Sequence, residues 1–427
     1  MVHMSDTIKR AKVVSKERVE SLLHATSGPE WSFVFRLPTE LRFGAGRLEE
    51  TAELARGLGK RVLLVTSRHA MERLGYTEQL ATALMSQGIE VVIYKDVHLN
   101  PTTGDVDQGA ACARSHGAEF VIALGGGSAL DCAKAIAAVA PGSHAAADYV
   151  YQRVQPGTNT LPLIAIPTTA GTGSEMNRSC MITDPSRPYK SGIRSNHLFP
   201  RYAVVDPLLT YSAGLELTAQ TGFDALAHAV ESYVSPKAQP ICDALALQAI
   251  QDVAEFLPVA LTNPHNSRAR EKLALASTTM GINLTLVGTC VPHRLDKPLC
   301  ALHPEISHGQ SVALFYPCWA RWSYQGNVER FARVTEIIEP ATRDLPLEQR
   351  AAAFAEVIAA FLARIGLAQG MSAYGVEESE LSILAQNIEG DLSINPVPFA
   401  CERLSEFLAE VFSWVPSAPT RHRRLQS

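Results

Sequence analysis

Between residues 61 and 205 the chain alternates short, almost wholly apolar runs with longer amphipathic or alanine-rich stretches. The runs RVLLVT (61–66), EVVIY (90–94), FVIAL (120–124), LPLIAI (161–166) and YAVV (202–205) are rich in β-branched residues and predict strands. Residues 50–58, just before the first of these runs, and 105–116, between the second and third, predict helices. Strands without a polar face, spaced by helices, belong to a parallel sheet covered on both sides. From about Leu215 the apolar runs vanish and helical periodicity takes over at 219–235, 241–257, 268–286, 326–338, 347–365 and 401–411. The pattern predicts an α/β domain over 1–212, with 1–30 as a loosely attached extension, and an all-helical domain over 213–427.

Composition adds exclusions. A net charge of −5 leaves no basic surplus to neutralise nucleic-acid phosphates. With 46% hydrophobic and 19% charged residues the chain is an ordinary globular one. No apolar run reaches the length of a membrane span, and the charged N-terminus lacks the apolar segment of a signal peptide. The eight cysteines form no CxxC pair and sit in apolar runs, so reduced thiols in a cytoplasmic protein are expected. The basic tail TRHRRLQS reads as a frayed terminus.

Three segments carry chemistry. In TGFDALAHAVESY, Asp224 and His228 lie four residues apart on a predicted helix, which stacks their side chains on one face. With His293 and His308 they offer one oxygen and three nitrogens, a set suited to Fe(II) or Zn(II) rather than to Ca or Mg. In LGGGSALDCAK a buried strand runs into Gly125, Gly126 and Gly127, followed by Ser128 and Asp131 at the start of a helix. Such a turn brings free helix N–H groups to an anion, and a pyrophosphate fits it. The spacing is not GxGxxG, and a plain strand-to-helix turn capped by Ser128 accounts for it equally well. In IPTTAGTGSE the hydroxyls of Thr168, Thr169 and Thr172 follow a strand, either binding phosphate or ribose oxygens or capping a helix.

Together with RFGAG (42–46), NPT (100–102), VVDPLLT (204–210), His308–Gly309 and Asn395–Pro396, these motifs resemble the iron-containing (group III) alcohol dehydrogenases. The resemblance implies the dehydroquinate-synthase-like fold, with a nicotinamide cofactor in the N-terminal domain and the metal in the helical one. It matches Asp224, His228, His293 and His308 to four metal ligands, and the glycine turn with Ser128 and Asp131 to the pyrophosphate site. Thr168, Thr169 and Thr172 match the hydroxyl loop beside the cofactor, Lys190 a lysine near its ribose, and Asn100 a residue near the nicotinamide. The activity implied is hydride transfer between NAD(P)(H) and a small alcohol or aldehyde, in a homodimer or higher homo-oligomer. Hydroxyacid–oxoacid transhydrogenation and maleylacetate reduction are neighbouring chemistries, and a non-catalytic metal- and nucleotide-binding relative is the remaining alternative.

The chain also departs from the family. Where many members have a second histidine four residues after the third ligand, this one has Lys297, which is then the residue expected to relay a proton. The interval from His293 to His308 is one residue longer than is commonest, consistent with a loop insertion, and makes His303 the competitor of His293. Arg178, Arg294 and Lys297 would attract a substrate with its own anionic group, unless they are exposed or paired with Asp296 and Glu305. Ser67, where NAD-preferring relatives often have Asp, is followed by Arg68, so NADP(H) is expected to be tolerated.

Overall fold

The computed structural model describes residues 32–416 apart from Arg68 and Pro188. The 1–30 extension, Arg68 and the basic tail lie outside the described residues.

Eight strands are present among the described residues: β1 (Glu40–Phe43), β2 (Arg61–Ser67), β3 (Glu90–Val97), β4 (Phe120–Gly125), β5 (Leu163–Pro167), β6 (Ser179–Asp184), β7 (Tyr189–Arg194) and β8 (Tyr202–Val205). Six of them form one parallel sheet in the order β1-β8-β5-β4-β2-β3, and β6 pairs with β7 as a separate antiparallel hairpin. Alternate residues of each central strand feed two cores. Leu63, Val65, Val121 and Ala123 pack under helices α2 (Thr103–His116) and α3 (Gly127–Val139). Val62, Leu64, Ile122 and Leu124 face the other way, toward Ala52 and toward Leu80 and Leu84 of helix α1 (Tyr76–Ser86). That two-sided burial is why these strands read as continuous apolar runs.

Every strand precedes Gly214. Beyond it come α4 (Leu215–Val234), α5 (Pro240–Thr262), α6 (Ser267–Leu286), α7 (Val291–Leu302), α8 (His308–Ser323), α9 (Val328–Ile338) and shorter helices to α10 (Cys401–Ser413). The helical half has its own core, centred on Phe223, Tyr316, Trp319 and Phe331, all with no exposed side chain. Among the described residues α5 is the single unbroken helix long and apolar enough to cross a bilayer. It carries Asp243, Asp252 and Glu255 and sends Ala249, Val253 and Leu257 into this core.

Several elements differ from the sequence expectation. The β6–β7 hairpin escapes notice because its inward positions include Lys190 and Ser191, so no apolar alternation marks it. The 294–307 stretch, expected as a loop with an insertion, is largely helix α7. Its prolines (Pro292 and Pro298) and its buried Arg294 and Asp296 hide the helical period. Helix α8 is apolar almost throughout, being buried on nearly every side, and has no stripe to detect. The 347–365 segment breaks at Ala353 into two helices.

Candidate metal centre and cofactor cleft

Helix α4 presents Asp224 and His228 one turn apart, and α7 and α8 bring His293 and His308 to the same point. The Nε2 atoms of His293, His308 and His228 lie 3.2, 3.3 and 3.6 Å from Asp224 Oδ1. A tetrahedron with arms of about 2.1 Å has edges of roughly 3.4 Å, so these separations suit a single divalent cation. All four donors fall within 4.8 Å of one another. The donor chemistry and the spacing therefore both fit a metal. The rings of His228 and His293 stack with centroids 4.3 Å apart.

Two carboxylates outside this set hold the imidazoles in place. Glu231, one further turn along α4, accepts from His293 Nδ1 at 2.7 Å and from the Cys290 backbone N–H at 2.6 Å. Asp296, on α7, meets His308 Nδ1 at 2.9 Å and the Lys190 ammonium at 3.3 Å. Each fixes the outer nitrogen of a ring whose inner nitrogen faces Asp224, the arrangement that orients metal ligands elsewhere. From the sequence Asp296 enters only as an ion-pair partner for the cations, and Glu231 is not singled out. Their positions give a usable signal: Glu231 lies on the face of α4 that carries Asp224 and His228, and Asp296 stands one turn after His293.

The site's charges follow from these contacts. Burial works against ionising Asp224, but the imidazoles outweigh it and hold its carboxyl well below the usual range. Burial pushes His228 down to about 3. It is overcome at His293 by Glu231 and Asp224, which raise that ring to about 9. Asp296 and Asp224 likewise overcome it at His308, raising that ring to about 10.

On the sheet side, the crevice opens at the C-terminal ends of β2 and β4, the point where the chain reverses its direction of travel across the sheet. Gly125–Gly127 follow β4 so closely packed that a methyl at Gly125 would strike Ser67, and one at Gly127 would strike Thr172. Helix α3 starts at Gly127 after an N-cap, Gly126, that has no side chain to cap it, leaving its first N–H groups for an anion. Ser128 is not the cap; its hydroxyl donates to the Leu99 carbonyl. Asp131 accepts from the Ser174 hydroxyl at 2.5 Å and the Met181 N–H at 2.8 Å, tying α3 to the TTAGTGSE loop and the hairpin.

Two adjoining cavities meet at these candidate metal ligands. One, of about 300 Å³, is lined by Ser67, Gly126, Gly127, Thr168, Thr169 and Thr172, and reaches Asp224 and His308. The other, of about 350 Å³, reaches His228, His293 and His308 and is lined by Arg178, Lys190, Arg294 and Lys297. Asn100 and Ser128 border both. Asn100 accepts from Lys190 at 3.2 Å and donates to the Pro304 carbonyl at 3.0 Å, bridging the two halves of the chain. His303 lines neither cavity: it caps the end of α7 and sits between Glu305 and Glu380. The geometry thus gives it no part as substrate residue or as rival to His293. The alternative that Arg178, Arg294 and Lys297 pair with Asp296 and Glu305 is not seen, since Asp296 binds Lys190 and His308, and Glu305 binds His303.

A parallel nucleotide-binding-type sheet joined to a helical half bearing an Asp–His₃ cluster defines a two-domain metal-dependent dehydrogenase. Residues 38–207 match the iron-containing alcohol dehydrogenase family, and residues 218–411 match its C-terminal region. The chain is 32% identical over 385 residues to a 1,3-propanediol dehydrogenase of Citrobacter freundii, covering 89% of this chain and 99% of the relative. An archaeal alcohol dehydrogenase from a Red Sea brine pool superposes with a TM-score of 0.86 at 31% identity, covering 90% of this chain and 100% of that one. A sulfoacetaldehyde reductase from Bifidobacterium kashiwanohense, solved with NAD+, gives a TM-score of 0.79 at 33% identity, covering 90% and 99%. The protein belongs to the iron-containing alcohol dehydrogenase family and is a metal-dependent oxidoreductase of the alcohol dehydrogenase type.

Proposed function

We propose that this enzyme is an NAD(P)H-linked aldehyde reductase working on a small aldehyde that bears an anionic group. The observation that carries the reading is the convergence of three imidazoles on Asp224 Oδ1 where two cavities of cofactor-head and substrate size adjoin. Asp224, His228, His293 and His308 would hold Fe(II) or Zn(II). When bound, the cation supplies Lewis-acid charge to a carbonyl or alkoxide oxygen, and the reduced nicotinamide supplies the hydride. The relatives that include a sulfoacetaldehyde reductase agree with an anionic aldehyde.

The remaining roles belong to this chain's own side chains. The α3 N-terminus and the Thr168, Thr169 and Thr172 hydroxyls hold and orient the cofactor phosphates and ribose, with Ser67 at the end of β2 leaving room for a 2′-phosphate. Lys190, fixed between Asn100 and Asp296, positions the ribose side of the nicotinamide. Lys297, pulled down to about 7 by burial and then by Arg294, exchanges a proton with bulk water near neutral pH. We assign 1–212 to the cofactor half and 213–427 to the metal half, and place the enzyme in the cytoplasm as a homo-oligomer.

Purified protein stripped of metal and reloaded with Fe(II) or Zn(II) tests this directly. Reduction of aldehydes at the expense of NADH or NADPH is expected only after loading, and Asp224→Ala should abolish both metal retention and turnover. Full turnover by the stripped protein would sink the reading.

A further inference from the structure

The larger cavity gathers six cationic side chains, and their partners decide what the cavity is for. Lys190 is paired with Asp296, and Lys237 with Asp391 at 2.9 Å. The other four, Arg178, Arg194, Arg294 and Lys297, have no carboxylate within ion-pair distance among the described residues. Arg194, absent from the sequence reading, extends from β7 on the same side of the strand as Lys190. Arg178 donates to the amide oxygen of Asn196 at 2.6 Å, and Arg194 to the Ser179 hydroxyl at 3.2 Å, both neutral acceptors. Arg294 is 9% exposed, and its Nε has no hydrogen-bond partner. Its guanidinium lies against Gly390, where any side chain would collide with it.

The nearby carboxylates are occupied elsewhere. Glu389 accepts from the hydroxyls of Tyr189 and Ser191. Asp391 accepts from Ser393 as well as from Lys237. Glu231 serves His293 and the Cys290 N–H, and Asp131 serves Ser174 and Met181. The cations also feel one another. Arg194 keeps an exposed side chain, yet partial loss of hydration, then Arg294 and Arg178, hold it below its ordinary value. Glu231, Asp391 and Glu389 act on Arg294, and Glu389 and Asp296 on Lys297, only from beyond ion-pair distance, so the buried Arg294 and its half-buried neighbours favour an incoming anion.

We propose that this cluster is a specificity site for a three-oxygen anion, a phosphonate or a sulfonate, carried on the same short molecule as the reacting carbonyl. The assignment rests on the reductase reading for the fate of the carbonyl, but not for the binding of the anion. A carboxylate offers two oxygens and is satisfied by one guanidinium fork, whereas three guanidiniums and an ammonium match a tetrahedral group with three acceptors. His228, His293 and His308 line the same cavity of about 350 Å³, so one small molecule held there faces both the candidate metal ligands and the cations. Arg178 and Arg194 come from the hairpin of the sheet half, and Arg294 and Lys297 from α7 of the helical half. The anion therefore joins the two halves as well as selecting the substrate.

Metal-loaded enzyme is assayed with NADH and NADPH against two-carbon aldehydes ending in phosphonate, sulfonate or carboxylate, with propanal as the neutral control. The phosphonate or the sulfonate should be preferred over both carboxylate and propanal by at least about tenfold in kcat/KM. Arg294→Met and Arg194→Met should each lower kcat/KM for the preferred anion about tenfold to a hundredfold, mainly through KM. Propanal should change less than about threefold and the KM for reduced cofactor should hold, on the same principle that only the lost charged hydrogen bonds count. Equal losses on charged and neutral aldehydes, or a matching rise in the cofactor KM, would overturn the assignment. Calorimetric titration with methylphosphonate and methanesulfonate reads the site without turnover, with Arg294→Lys as a variant that keeps the charge and folds. Binding by wild type that Arg294→Met abolishes and Arg294→Lys partly retains supports the anion site, even if no aldehyde is reduced and the reductase reading falls. Absence of binding of either probe overturns the anion site, even if propanal is turned over.

Discussion

Asp224 Oδ1 is the atom on which the centre is built, with three imidazole nitrogens 3.2 to 3.6 Å away. The residue types that make this possible could be read in the chain, because an i,i+4 carboxylate–imidazole pair needs only a helix to bring it together. The partners behind the rings were harder to see, since Glu231 and Asp296 act through His293 and His308. Replacing Glu231 by Gln should weaken metal binding about tenfold to a hundredfold while leaving the fold intact, as read by chelator competition. Unchanged affinity would mean that Glu231 serves only the Cys290 N–H. Lys297 supplies a pH signature. Burial and Arg294 lower it to about 7 against the opposing pull of Glu389 and Asp296, so it is a cation below that pH and neutral above it. The advantage of an anionic over a neutral aldehyde in kcat/KM should therefore shrink as pH rises through about 7. In Lys297→Met the ratio should be smaller and flat across the same range. A ratio that is already flat in the wild type would remove Lys297 from anion binding.

At the scale of elements, the hydroxyl loop after β5 is locked onto α6 by contact of two glycine backbones. A methyl added at Gly281 would run into the Gly173 carbonyl, and one at Gly173 would meet the backbone of α6. Gly173 also takes a positive φ of 56°, which L side chains adopt at a cost. Gly281→Ala should push the loop off the helix, costing about 1 to 3 kcal/mol of stability by overpacking. Because Thr168, Thr169 and Thr172 ride on that loop, the same change should raise the KM for reduced cofactor more than that for aldehyde. Thermal melts and cofactor titrations would check both. An unshifted melting temperature would mean that the helix and loop separate without penalty. The elements that the pattern missed share one cause. Helix α7 and the β6–β7 hairpin bury charged residues at the cleft, so their inward faces look polar. Helix α8 buries nearly all of itself and shows no contrast.

For the molecule as a whole, the centre lies where the two halves meet, so its ligands and their supports link elements far apart in sequence. Metal that binds only the folded chain must stabilise it by mass action, by roughly 2.7 kcal/mol at a hundredfold excess over Kd. Zn(II) or Fe(II) should raise the melting temperature, EDTA should reverse the gain, and Asp224→Ala should abolish the response, all by scanning calorimetry. A metal-induced shift that persists in Asp224→Ala would place the stabilising ion elsewhere. The two-part architecture was legible because parallel strands buried on both faces and amphipathic helices write different periods into the chain. Where the halves touch left no such trace, as Asn100 reaching the Pro304 carbonyl illustrates.

By itself the sequence determined the order of sheet half and helical half, the glycine turn after β4, and the four side chains that converge at the candidate metal centre. Each of these follows from local spacing or residue type, which a chain carries whatever its surroundings. Only the tertiary structure decided which charges find partners. It gave Asp296 to Lys190 and His308, sent His303 to Glu380, and left Arg178, Arg194, Arg294 and Lys297 lining one cavity with no carboxylate in ion-pair contact among the described residues. Pairing depends on which groups approach within a few ångströms and how much water they lose, and both are set by packing between distant segments.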